Sequence, residues 1–208
     1  MFLVVLKIIA AYLLGSINGS LVLGRSMGVD IREEGSGNAG GTNALRTHGK
    51  LFALGVVLID VLKAVIAVAW VAKLGTDPGA AAPWVEVACG AAAVLGHCYP
   101  VYFGFRGGKG MATLLGVYAV LSPAVLLVVV LTWLAFIALF GYVGMATIAG
   151  AASAPVYVAL SGGTIRSPFL LFSLAMALLV IYTHRSNLVR LREGTEHRMF
   201  RALFSRRH

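Results

Sequence analysis

Six long stretches of predominantly apolar residues, at about 2–24, 51–73, 84–102, 110–140, 144–160 and 168–183, dominate this 208-residue chain. Roughly 20 apolar residues in a helix span a bilayer's hydrocarbon core. The runs are continuous and do not alternate every second residue, which argues against a β-barrel. Composition agrees: 59% of residues are hydrophobic and 12% charged, with a mean hydropathy of +0.89, against about 25% charged in a soluble domain. Too little polar surface remains to cover a water-soluble globule. The chain therefore reads as an all-α polytopic membrane protein. Spans and short connections use up its length, so one integral membrane domain over 1–208 is expected. The first apolar run has no basic segment ahead of it and reads as a retained helix, not a cleaved signal.

The stretch 110–140 is too long for one helix and short for two. Ser122-Pro123 lies inside it, and proline ends a helix or starts a new one. Charge decides between one span and two. Of the 17 basic residues, 13 fall in three clusters: Arg25, Arg32, Arg46 and Lys50; Arg106 and Lys109; and Arg185, Arg190, Arg192, Arg198, Arg201, Arg206 and Arg207. Basic loops stay in the cytoplasm. All three clusters share that side only if the chain turns at Ser122-Pro123. The expectation is seven transmembrane helices, 110–121 being short, with the N-terminus outside and the C-terminus cytoplasmic. The net charge of +9 then reflects cytoplasmic loops and anionic lipid, and no nucleic-acid partner is expected. Cys89 and Cys98 show neither CxxC nor metal spacing and read as small core residues. Gly15, Gly19 and Gly24 have small-xxx-small spacing for helix packing.

Three polar segments fall on that one face: "GSGNAGGTNALR" (35–46), "FRGGKG" (105–110) and "HRSNLVRLREGTE" (184–196). In the first, Gly35, Gly37, Gly40 and Gly41 let the backbone approach a ligand and point N–H groups at it. Ser36, Asn38, Thr42 and Asn43 add neutral donors, and Arg46 a permanently charged fork suited to phosphate or carboxylate. In the second, Gly107, Gly108 and Gly110 surround Lys109 at the start of the next helix, where an anion is favoured. It is not a Walker loop: Phe103 stands where the leading glycine would be, and no Ser or Thr follows Lys109. The bland alternative is that these glycines only permit tight turns. No acidic cluster or His pair has ligand spacing, so no metal is expected.

These segments carry a specific resemblance. "GSGNAGGTNALR", "GHCYPVYFGFRGGKG" and "HRSNLVRLREGTE", with "YLLGSINGSLVLGR" in the first helix, resemble in order and spacing the signature segments of the bacterial acyl-phosphate:glycerol-3-phosphate acyltransferase family. The resemblance covers essentially the whole chain. It implies a seven-helix enzyme of the bacterial inner membrane with its site on the cytoplasmic face. It also implies the reaction: a fatty acyl group moves from acyl phosphate to the sn-1 hydroxyl of glycerol 3-phosphate. The products are lysophosphatidic acid and phosphate, in the first step of phospholipid synthesis. The partners are then a lipid-borne donor, a soluble acceptor and the bilayer, with no cofactor. No HxxxxD pair of the other acyltransferase class accompanies any histidine here. The family usually reads Pro and Ala where this chain has Ala39 and Gly41, and many relatives carry a serine at Gly144, whose role here is vacant or partly taken by Thr147.

Acyl phosphate is already activated, so the reaction needs dianion binding, hydroxyl orientation and charge stabilisation. The resemblance implies that Ser36 and Arg46 are essential, that the glycines of the second segment bind glycerol 3-phosphate, that His184 and Asn187 are functional, and that Glu196 is structural. Arg46 and Lys109 would neutralise phosphates. His184 is one candidate base; the substrate's own phosphate is the other and is preferred, with His184 orienting. A Ser36 acyl-enzyme lacks a base beside it. Asp60 and Lys63, three apart in the second span, are a structural pair or a substrate contact. His97 is a helix-end residue bonded to backbone or a support of the GGKG segment. Glu86 is expected near the external interface. The tail, with Leu188, Leu191, Met199, Phe200, Leu203 and Phe204 among arginines, reads as a surface amphipathic segment. A small-anion transporter would instead gather polar groups at the membrane midplane; a lipid-headgroup scaffold is a weaker rival.

Overall fold

The computed structural model describes residues 1–75 and 81–199. Among them are nine α-helices, three short 3-10 turns and no strand. They form two compact units, Met1–Ser122 and the chain from Pro123 onward.

The first unit contains α1 (Phe2–Gly15), α2 (Gly19–Ser26), α3 (Gly41–Ala69), α4 (Ala82–Cys98) and α5 (Met111–Leu121). α1 packs chiefly on α4, and α3 on α5. Small residues set these approaches: a Cβ on Gly15 would meet the backbone of Ala93, and one on Gly96 the backbone of Tyr12 and Ser16. Gly19 faces Val56 on α3, as the spacing predicts. Gly24 instead sits against Val29 and Ile31 of its own exit turn. Val56, Val68, Val94, Leu114 and Val117 are fully buried in this unit's core.

The apolar run 2–24 is not one straight helix. It breaks at Ser16–Asn18, and α1 and α2 meet at a 48° bend. Asn18 is extended and caps α2, its side chain accepting from Leu21 N at 3.2 Å. Apolar residues on both sides hide the break, because the groups that satisfy its freed backbone lie on α3. Lys7, inside α1, is also buried; its ammonium donates to Ala72 O at 3.0 Å and ties α1 to the 3-10 turn Val71–Lys73. α3 begins ten residues before the apolar run starting at 51 and kinks at Gly49 (φ 82°, ψ −174°).

The second unit contains α6 (Pro123–Phe140), α7 (Val143–Leu160), α8 (Pro168–Thr183) and α9 (Arg185–Arg192). The long apolar run is interrupted where expected: α5 ends at Leu121, Ser122 is extended (φ −161°, ψ 95°) and α6 opens on Pro123. α7 packs on both α6 and α8. α8 and α9 meet at a 52° bend. Leu127, Leu131, Leu134 and Leu139 project outward on α6, an apolar face that suits lipid. Among the described residues three segments are long and apolar enough to cross a bilayer, 41–73, α6 and α7, and up to five if each bent pair is one span. Phe200, Leu203 and Phe204 of the expected amphipathic tail lie outside the described residues.

Candidate active site

The first polar segment is a short loop pinned to the start of α3. Asp30 caps the turn Ile31–Glu33, accepting from Arg32 N at 3.0 Å, and Ile31 anchors that turn in the core. Gly35 and Gly37 then take left-handed φ of 56° and 71°, which glycine adopts without steric cost. The pin is Asn43. Its Oδ1 accepts from Ser36 N (2.8 Å) and Ser36 Oγ (3.2 Å), while its Nδ2 donates to Ile31 O (3.1 Å) and Glu34 O (2.9 Å). Asn43 is buried, and a Cβ on Gly35 would collide with it. Asn43 is thus spent on the loop rather than offered to a ligand, and it presents Ser36 at the surface.

The segment read as one loop is in part a helix. Gly40 is the N-cap of α3, so Thr42, Asn43 and Arg46 ride its first turns. Arg46, one turn beyond Asn43, is exposed. Just ahead of this segment, Glu34 lies 2.8 Å from His48, and Glu33 is exposed.

The second segment follows α4 through Pro100 and the turn Val101–Phe103. Its glycines act differently from the expectation that their N–H groups cradle a ligand. Gly107 N donates to Cys98 O at 3.1 Å and Gly108 N to His97 O at 3.2 Å. These donors cap the C-terminal carbonyls of α4, which would otherwise lack partners. What the glycines supply is closeness: a Cβ on Gly107 would meet His97 O and Cys98 O, and one on Gly108 the His97 imidazole and Ala39 O. Gly110 (φ 91°) is the N-cap of α5, so Lys109 sits directly before a helix N-terminus, where partial positive charge gathers.

The two segments are fastened together by residues that sequence reasoning left as bare charge. Arg32 Nη1 donates to Phe103 O and Arg106 O, both at 3.0 Å, while its Nε and Nη2 grip the Asp30 carboxylate at 2.9 and 2.6 Å. The hydrogen bond from Arg32 holds the Asp30 carboxyl below the usual carboxylate range, and Asp30 in turn raises the guanidinium. Asn18 Nδ2 donates to Ala39 O at 3.2 Å, the carbonyl that faces Gly108. The Asp-x-Arg spacing of residues 30–32 was the available sequence signal.

The third segment lies in the second unit. His184 is buried, and its Nδ1 lies 2.8 Å from Val180 O. A carbonyl only accepts, so Nδ1 carries the proton and Nε2 is the basic nitrogen. Asn187 Nδ2 donates to Glu196 Oε1 and Arg190 Nε to Glu196 Oε2, both at 2.7 Å. Glu196 is nearly buried and ties the end of the segment back to α9 through one charged and one neutral partner. A Cβ on Gly144 would overlap the Asn187 side chain, so this glycine makes room for Asn187. Thr147 does not replace a serine there: it donates to Val143 O at 2.8 Å and accepts from Trp133 Nε1 at 3.2 Å. Cys89 and Cys98 are buried thiols, and Glu86 approaches Lys73 at 4.0 Å.

Comparison with known proteins covers both units. A family model described as glycerol-3-phosphate acyltransferase matches residues 5–194. The chain is 44% identical over 189 residues to the glycerol-3-phosphate acyltransferase of Geobacter sulfurreducens, spanning 90% of this chain and 93% of that one. With that of Aquifex aeolicus it shares 43% over 192 residues, spanning 92% and 96%. A crystal structure of an integral membrane glycerol 3-phosphate acyltransferase in its glycerol 3-phosphate form superposes with a TM-score of 0.83 at 40% identity, covering 97% of this chain and 99% of that one. The lysophosphatidic acid form gives 0.80 at 39%.

Proposed function

The chain belongs to the glycerol-3-phosphate acyltransferase family, and we propose that it moves a fatty acyl group from acyl phosphate to the sn-1 hydroxyl of glycerol 3-phosphate. The observation that carries this reading is the Asn43-pinned segment. It holds Ser36 at the surface, sets Arg46 one helical turn away, and is fastened to a second segment that places Lys109 at a helix N-terminus. Two cationic groups and the start of a helix suit phosphate dianions.

The hydroxyl oxygen attacks the acyl carbon, the bond from that carbon to the phosphate oxygen breaks, and inorganic phosphate leaves. The hydroxyl proton passes to the phosphate of glycerol 3-phosphate itself, so no protein base is required. Arg46 and Lys109 neutralise phosphate charge, Ser36 donates a hydrogen bond, and the first-turn N–H groups of α5 favour an anion. Asn38 and Thr42 contribute further polar contacts, while Gly35, Gly37, Gly107, Gly108 and Gly110 shape the surface. The family resemblance gives His184 and Asn187 functional roles as well; within the second unit the basic nitrogen of His184 is Nε2 and Asn187 is held by Glu196. The α1–α2 pair, α3, α4, α5, α6, α7 and α8 make seven crossings of a bacterial inner membrane. The N-terminus lies outside and the basic segments are cytoplasmic.

The test is direct. Purified protein in lipid is given labelled glycerol 3-phosphate with long-chain acyl phosphate, acyl-CoA or acyl carrier protein as donor. Lysophosphatidic acid should form with acyl phosphate alone. Product from a thioester donor, or none from acyl phosphate, overturns the donor assignment. Ser36→Ala and Arg46→Ala should each lose about a hundredfold or more in kcat/KM.

A further inference from the structure

A buried ionic cluster stands between α3, α4 and the α1–α2 break. Asp60, Lys63 and His97 are 1%, 3% and 2% exposed. Lys63 Nζ donates to Ile17 O at 2.9 Å, to Asp60 Oδ1 at 2.9 Å and to His97 Nδ1 at 3.0 Å. An ammonium has three protons and no lone pair, so three acceptors use it completely. His97 Nδ1 is then an acceptor, and the imidazole proton sits on Nε2. The 3.2 Å approach of Nδ1 to Asp60 Oδ1 follows from both atoms leaning on one ammonium. Nε2 is the ring nitrogen that lies against Gly108.

These contacts close a ring. Asp60 Oδ1 accepts from Gly19 N at 3.0 Å on one side of the helix break, and Lys63 takes Ile17 O on the other. Asn18, between them, holds Ala39 O. Ala39 O and His97 Nε2 both press on Gly108, and Gly108 N donates back to His97 O. The carboxylate is committed through Oδ1, while Asp60 Oδ2 has no partner among the described residues. Burying that oxygen costs stability, whereas the geometry of Oδ1 serves the ring.

We infer that Asp60, Lys63 and His97 are positioning residues that fix Gly108, and with it Lys109 and the N-terminus of α5, relative to the Ser36 segment. The inference rests on the proposed reaction, in which the second segment binds glycerol 3-phosphate. Loosening the ring therefore weakens the acceptor and spares the donor.

Steady-state kinetics of the full chain in lipid, with each substrate varied in turn, reads this out. His97→Gln leaves the Asp60–Lys63 pair in place. It should raise KM for glycerol 3-phosphate about tenfold while KM for acyl phosphate stays within about twofold. Asp60→Asn and Lys63→Gln should shift the same constant, together with a lower Tm. A folded His97→Gln protein with both constants unchanged, or both raised equally, overturns the positioning role. Should His97→Gln not fold, Gly108→Ala, which crowds the same imidazole, must show the same one-sided rise or the inference fails. Wild-type protein that makes no lysophosphatidic acid overturns the proposed function instead, so the two failures are distinct.

Discussion

The protein bends two helical pairs by nearly the same angle, 48° at α1–α2 and 52° at α8–α9, and secures the two bends in opposite ways. At the first, the freed backbone groups Ile17 O and Gly19 N are taken by Lys63 and Asp60, 46 and 41 residues away. At the second, His184 turns back on its own helix, its backbone N and its Nδ1 both meeting Val180 O. A bend satisfied by residues four apart can form wherever its segment lies. A bend satisfied from another helix exists only once that helix has packed. Apolar surroundings make this difference matter, because an unpaired backbone group there has no water to turn to.

The largest test of the contrast is Lys63→Met. It strands a buried carboxylate and should cost about 3–5 kcal/mol, while the Asp60→Leu/Lys63→Met double variant carries no buried charge but still leaves Ile17 O and Gly19 N without their partners, so it should recover only part of that loss. Thermal unfolding in detergent measures both, and a double variant as stable as the wild type would break the account of the first bend. At the second bend, His184→Ala should lower kcat about tenfold, equivalent to ~1.4 kcal/mol, and lower Tm less than Lys63→Met does, because the backbone N of residue 184 still donates to Val180 O. A drop of about a thousandfold, with loss of the acid limb of the pH–rate profile, would instead make His184 the general base. Asn18→Ala removes a cap and should cost about 1 kcal/mol, again read as a Tm shift; no shift would mean that the tertiary partners alone hold the bend. The smallest effect concerns Asp30. Its folded pKa lies below its unfolded value because Arg32 donates to it. Its stabilising contribution is therefore present above the ordinary carboxylate range and is lost as pH falls through the lowered value. Asp30→Asn should flatten the acid side of a Tm-against-pH plot slightly, since the pair is partly solvated; a difference from wild type that is constant with pH would remove Asp30 from the fastening.

Much of the proposed site could be written down from sequence because its chemistry is local. The glycine-rich runs, Arg46 and Lys109 stand in short segments whose residue types suit an anion, while His184, Asn187 and Glu196 were implied by the family resemblance. The helix break at Ser122-Pro123 is written in two adjacent residues. Other roles were not legible. Nothing in the run 107–110 says that two glycine N–H groups are spent on α4 carbonyls. Nothing in "GGTNALR" says that Asn43 turns inward to hold Ser36 while Arg46 turns out. Those outcomes depend on where α4 ends and where α3 begins, which burial and packing settle.

By itself the sequence determined the solvent: apolar runs of bilayer length, interrupted by basic, glycine-rich segments, leave an α-helical membrane protein as the state that pairs every backbone group. It determined the family too, through motifs whose order spans the chain. Only the tertiary structure decided which polar residues are spent on the scaffold. Asp60, Lys63, Asn18 and Arg32 look like scattered polar groups until packing brings them to backbone atoms 21 to 74 positions away. Hydrogen bonds reach about 3 Å whatever the distance along the chain. A pattern read residue by residue cannot hold that information; a packed interior, which penalises every unpaired polar atom, does.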